Sequence, residues 1–129
     1  MKKLSLYIFL VLMWCNVGFA DEIDYKKTIL NNKIIGIYND TGKHEWVFNK
    51  DGTAQWEIIH LASMTNIGSY KKCWTQTEFN EDAFKYRECS SLETDGMLNF
   101  DFINMTLRLR TSNDDLIYKL IEPIKIFYK

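Results

Sequence analysis

The chain has 129 residues, 47% of them hydrophobic and 15% aromatic, with 16 Lys and Arg against 17 Asp and Glu for a formal net charge of −1. That length suits one domain with a modest core. The near-neutral balance excludes the basic surface that nucleic acid or an anionic membrane would require.

Residues 1–20 carry the three parts of an export signal. Lys2 and Lys3 supply a positive start, Leu4 to Cys15 an apolar run, and Gly18-Phe19-Ala20 a small-x-small cleavage site ahead of Asp21. The apolar run falls short of the roughly 20 residues that cross a bilayer. Trp14 stands before Cys15 where lipid attachment needs a small residue, so a plain signal peptide is expected, with no membrane span once it is removed. Losing Lys2 and Lys3 takes the net charge from −1 to −3 and leaves residues 21–129 as a single domain, periplasmic or secreted. Cys73 and Cys89 then remain as an even pair in an exported chain, the usual setting of a disulfide. Their bridge would close a loop of roughly 17 residues and add about 3 kcal/mol. Their wide spacing without a nearby histidine speaks against zinc.

From Asp21 to Asn32 the spacing of Ile23, Lys27 and Leu30 predicts a short helix or an ordered lead-in, ended by Asn31-Asn32. Ile34–Asn39 follows as a strand, with Asp40-Thr41-Gly42 as its turn. Two alternating runs then meet at Lys50-Asp51-Gly52. A three-residue loop with glycine in the left-handed position pairs Phe48 with Ala54, Trp46 with Trp56 and His44 with Ile58, gathering the aromatics on one face. The outer face then sets Glu45 against Glu57, tolerable if that face is wet.

Residues 61–68 are expected as a loose connection and Ser69–Thr77 as a strand with Tyr70, Lys72 and Trp74 on one face. Ala83–Leu92 alternates as a longer strand. Thr94-Asp95-Gly96, as a second three-residue loop, would pair Leu92 with Leu98 and turn Leu98, Phe100 and Phe102 inward. Met105, Leu107 and Leu109 alternate cleanly with Thr106, Arg108 and Arg110. A four-residue turn at Ser112–Asp115 would set Leu109 opposite Tyr118. After Glu122-Pro123, Ile124, Ile126 and Tyr128 form a last strand expected to meet Ile34–Asn39.

About eight short strands, joined by turns and preceded by one short helix, predict an all-β fold. The expected form is a small antiparallel up-and-down barrel, with a two-sheet β-sandwich as the alternative. Closure removes the edges that an exported sheet would otherwise expose. At Gly36-Ile37-Tyr38, Trp46-Val47-Phe48, Asp51-Gly52-Thr53 and the aromatic strand around Tyr70, the sequence resembles the lipocalin-like, or calycin-type, small exported bacterial barrels. The resemblance spans roughly residues 34–76, and Tyr38 stands where that family prefers tryptophan. It implies an apolar interior that takes a small apolar molecule or a protein partner.

The aromatics that would line such a ligand site are Trp46, Phe48, Trp56, Tyr70, Trp74 and Phe100. His44 and His60 could approach each other near one end of the hairpin, with Asp40 and Glu57 within reach. Two histidines without regular spacing are more often an ordinary hydrogen-bonded pair than a metal site, so no metal or cofactor is expected. No serine lies on a strand-to-helix elbow, no glycine-rich phosphate loop exists, and the carboxylate pairs fall in turns. The expected function is therefore not enzymatic. A binding module for a small apolar ligand comes first, and an envelope interaction protein or enzyme inhibitor acting through rim loops on a filled barrel is the alternative.

Overall fold

The computed structural model describes residues 22–129, so the export signal expected at residues 1–20 lies outside the described residues. Eight antiparallel strands, β1 (Lys33–Tyr38), β2 (Gly42–Phe48), β3 (Thr53–His60), β4 (Thr65–Gln76), β5 (Ala83–Arg87), β6 (Gly96–Asp101), β7 (Thr106–Thr111) and β8 (Asp115–Leu120), close in sequence order into one barrel. Among the described residues a single helix, α1 (Tyr25–Leu30), precedes them.

The register of the β2–β3 hairpin is the one its apolar pattern predicts. Phe48 pairs with Ala54, Trp46 with Trp56 and His44 with Ile58. Gly52, at φ +87°, takes the left-handed conformation that the loop requires. Asp51 Oδ1 holds the turn by accepting from the Thr53 amide at 2.9 Å. Glu45 does sit opposite Glu57, but it is buried rather than wet. Lys33 and Lys43 each reach its carboxylate at 3.2 Å. Burial works against its charge, and the two lysines outweigh that and lower its pKa.

Four expectations are corrected. The 61–68 connection is shorter than expected, because β4 already begins at Thr65 and extends the β3 ladder past a bulge between Ile58 and Ile59. β5 stops at Arg87 rather than Leu92: the Ser91 amide donates to the Glu88 carbonyl, and Arg87 Nη1 donates to the carbonyls of Glu88, Cys89 and Ser91, coiling the chain out of the ladder. Leu98 consequently pairs with Phe84, not Leu92. At the β7–β8 turn the Thr111 amide donates to the Asp114 carbonyl, which sets Leu109 against Leu116 and Leu107 against Tyr118. That shift of two leaves every side chain on its expected face.

The fourth correction concerns closure. β8, not residues 124–128, pairs with β1, through Gly36–Leu120 and Ile37–Lys119. A Cβ at Gly36 would lie 3.0 Å from the Tyr118 Cβ, so glycine lets the two strands approach. The tail turns at Pro123 and lies along α1 instead, where polar side chains capture its backbone. Asn32 Nδ2 donates to the Lys125 carbonyl and its Oδ1 accepts from the Lys125 amide. Thr28 Oγ1 accepts from the Phe127 amide at 3.0 Å and donates to the Asp24 carbonyl at 2.8 Å. Thr28 is fully buried, and these bonds satisfy it.

α1 begins at Asp24, whose side chain accepts from the Lys27 amide, and it buries Thr28 and Ile29 against one end of the barrel. Tyr25 stacks on Phe102 at 5.5 Å between ring centroids, carrying the core into the helix. That pole is stoppered. The opposite pole, where β2, β6 and β8 begin and β3 and β5 end, has no helix or strand across it among the described residues.

Candidate functional site

The inward side chains form two aromatic layers. Near the stoppered pole, Phe48, Trp74, Phe84 and Phe100 pack edge to face, with centroids 5.6–6.1 Å apart along Phe48–Trp74, Phe48–Phe100 and Phe84–Phe100. The buried Trp74 indole N–H donates to the Thr53 carbonyl at 2.9 Å. Nearer the open pole, Trp46 and Trp56 stack at 5.8 Å, and His44, Tyr70, Tyr86 and Tyr118 surround them.

Of the six aromatics expected at a ligand site, Trp46, Phe48, Trp74 and Phe100 are buried, Trp56 is half-buried and Tyr70 is exposed. Four of the six, Trp46, Phe48, Trp56 and Trp74, converge where the two layers meet, but what lies between them is nearly solid. The void lined by Trp46, Phe48, Ala54, Trp56, Lys72, Trp74, Tyr86 and Leu98 has a volume of about 10 Å³, space for one water. Two larger depressions lie on the outside, shallow and open. One of about 690 Å³ runs along the β1–β8 seam past Ile37, Met105 and Ile117. The other, of about 400 Å³, lies beside Phe79 and Met97.

The open pole carries polar groups that periodicity alone does not single out. Lys72 points inward, as its alternation with Tyr70 and Trp74 requires, and its ammonium meets the carboxylates of Glu88 and, at 3.1 Å, Asp95. Burial disfavours its charge, and the hydrogen bonds to Glu88 and Asp95 overcome that and raise its pKa. Both carboxylates sit at the ends of the 88–95 connection, so one inward lysine fastens that loop over the mouth. The Cys73–Cys89 disulfide, with Cα atoms 5.0 Å apart, fastens it a second time from outside. No sequence signal announces the ion pairs, because they depend on β5 ending at Arg87.

His44 takes a hydrogen bond at Nδ1 from the Trp56 indole N–H at 3.0 Å, which leaves the ring proton on Nε2. Burial pushes its pKa down to about 4, so the ring is neutral near pH 7. Tyr118, packed 4.7 Å from it, is pushed up to about 12 by burial and then by Tyr86, Tyr38 and Asp114. His60 lies apart, its Nδ1 3.2 Å from Ser63 Oγ. Among the described residues no three His, Cys, Asp or Glu side chains gather as metal ligands would.

Large apolar side chains stand out at both poles. At the open one Leu92 is 95% exposed and Met64 66%, with Ile67 and Tyr70 beside the β3–β4 tip. At the stoppered one Phe79 is 94% exposed, and Ile103 caps the β6–β7 turn.

Compared with models of protein families, with curated proteins and with solved structures, the chain finds no match in any of the three. The closed eight-stranded antiparallel barrel is consistent with a lipocalin-like fold and fits a binding module.

Proposed function

We propose that the protein is an exported interaction module that engages a protein partner with the open pole of a filled barrel. The observation that carries this reading is the contrast between an interior void of about 10 Å³ and the apolar side chains Leu92 and Met64, held out in solvent at the open pole. Ligand pockets of drug-like size need about 300 Å³ or more, far above what this interior holds. The 88–95 loop is braced by the disulfide, by Lys72 and by Arg87, so Leu92 would reach a partner without first being ordered. Export is supported by the charged, apolar and small-residue pattern of residues 1–20 and by the disulfide, which an oxidising compartment preserves.

The test is affinity capture from a cell-envelope fraction with the purified protein as bait. A retained protein that Leu92→Asp or Met64→Asp releases, and that Phe79→Asp at the other pole keeps, supports the reading. Equal retention by all three variants, or no retained protein, overturns it. A second reading, a small apolar ligand taken by Trp46, Trp56 and Tyr70, draws on their convergence above the void. A saturable change in tryptophan fluorescence with a hydrophobic probe would favour it over the first.

A further inference from the structure

β4 runs from Thr65 to Gln76, yet β5 pairs only with its Cys73–Gln76 portion. The rest overhangs the barrel with β3 on one side and no strand on the other. Which backbone groups this leaves unpaired follows from the ladder. The Trp74 amide donates to the Gly52 carbonyl, so even-numbered residues of β4 bond toward β3 and odd-numbered ones point the other way. The Thr77 amide, donating to Ala83 across the β5 side, agrees. Toward the tip the regular ladder ends at a bulge, where Ile58 faces Gly68 and Ile59 faces Asn66, leaving Ile67 as the extra residue. Between that bulge and Cys73 lie Ser69 and Lys71. Their N–H and C=O groups turn outward with no backbone partner among the described residues. The 88–95 loop coils away on its own Ser91–Glu88 bond and does not extend along them.

We propose that this edge pairs with the same edge of a second copy of the chain, antiparallel about a two-fold axis at Tyr70. The free stretch is centred on that residue, so the axis sets Ser69 opposite Lys71 of the second copy and Lys71 opposite its Ser69. All the outward groups are then satisfied on both sides. Tyr70, half exposed in the single chain, meets its own counterpart as an aromatic cross-strand pair. The bulge at Ile67 bends each tip out of the path of the other copy's β5.

Charge makes the second copy a fitting occupant. On the outer face Glu57 lies next to Ser69, its ladder partner. In the paired arrangement Lys71 of the second copy lies on the far side of that small serine, within side-chain reach of Glu57. Among the described residues neither Glu57 nor Lys71 has an ion-pair partner. The other cross-strand neighbour of Glu57 is Glu45, whose charge Lys33 and Lys43 already answer. The symmetry supplies the missing cation twice.

So short a ladder buries less than the roughly 1,200 Å² of standard stable interfaces, so the dimer is weak, with a Kd on the order of 0.1 mM. Sedimentation equilibrium of the purified protein at low salt, up to about 1 mM, measures it. Lys71→Glu and Glu57→Lys should each weaken association about 10-fold or more, and the double charge swap should restore it to within about 3-fold. Both side chains are on the outer face, and circular dichroism checks that the barrel survives. Ser69→Pro, which removes an N–H that β3 does not use, should also abolish pairing. A protein that stays monomeric to the highest concentration overturns the proposal and leaves Lys71 as a guard of the edge. A dimer indifferent to the single substitutions, or one the double swap fails to restore, overturns it equally. The proposal is independent of the foreign-partner reading: a monomer whose envelope partner still depends on Leu92 removes the dimer alone.

Discussion

The two poles of this barrel are built by different chemistry. At the stoppered pole, α1 and the C-terminal tail complete one another's hydrogen bonds, and Phe48, Phe84, Phe100 and Phe102 pack edge to face or stacked beneath Tyr25. At the open pole the packing thins into His44, Lys72 and tyrosines, and the enclosing loop is held by ions and a disulfide. Dispersion and burial are short-ranged and additive over many contacts, so they concentrate stability where rings interlock. Ion pairs at a solvent boundary contribute little to folding but fix geometry. One pole therefore holds the fold together, and the other is free to carry a surface.

The largest expected difference between the poles comes from Phe100→Ala. It opens a cavity in the interlocked layer and should cost about 3–5 kcal/mol in chemical denaturation, whereas Leu92→Ala should stay within about 0.5 kcal/mol. Equal losses would mean that the open-pole loop shares the core after all. Replacing Cys73 and Cys89 together by alanine should cost about 2–4 kcal/mol and raise amide exchange across residues 88–95 while leaving α1 protected. Loss of protection at α1 would show instead that the poles unfold as one.

Acid should separate them further. The folded-state pKa of His44, about 4, lies below the ordinary histidine value of 6.5. The unfolded chain therefore binds more protons in that window, and stability falls as pH drops from about 6.5 toward 4. Because the ring is partly solvated, the loss is on the order of 1–2 kcal/mol rather than the full shift. His44→Phe should flatten that slope. A wild-type curve already flat from pH 6.5 to 4 would show that the imidazole charges freely in the folded barrel. A smaller effect than that of His44 is expected at Lys72→Met, under about 1 kcal/mol in stability, with faster exchange confined to the 88–95 loop.

The parts of the fold legible in the sequence are those fixed by alternation and by glycine-bearing turns. The Trp46–Trp56 register, the inward set Leu98, Phe100 and Phe102, and the Leu107–Leu109 strand all follow from period-two burial, which a shift of one residue would reverse. What alternation cannot specify is where a strand stops pairing. Residues 88–92 keep an alternating pattern, yet Arg87 draws their carbonyls onto its guanidinium and the strand ends. Residues 124–128 alternate as well, but Thr28 and Asn32 compete for their backbone and win it for the helix. Lys72 shows the other limit. Its inward parity is plain from Tyr70 and Trp74, while its two carboxylate partners become visible only once the 88–95 loop folds back.

The tail strap has a topological consequence. Tyr128 bridges Ile23 and the Lys129 amide donates to the Glu22 carbonyl, so residues 22 and 129 emerge side by side beneath the helix. A tether attached to either one grips the barrel from below and turns Met64 and Leu92 away from the point of attachment. For the same reason a short linker could join residue 129 to residue 22 and the chain be reopened at the exposed Asn113 turn, giving a circular permutant of the barrel with the same strand order around the wall.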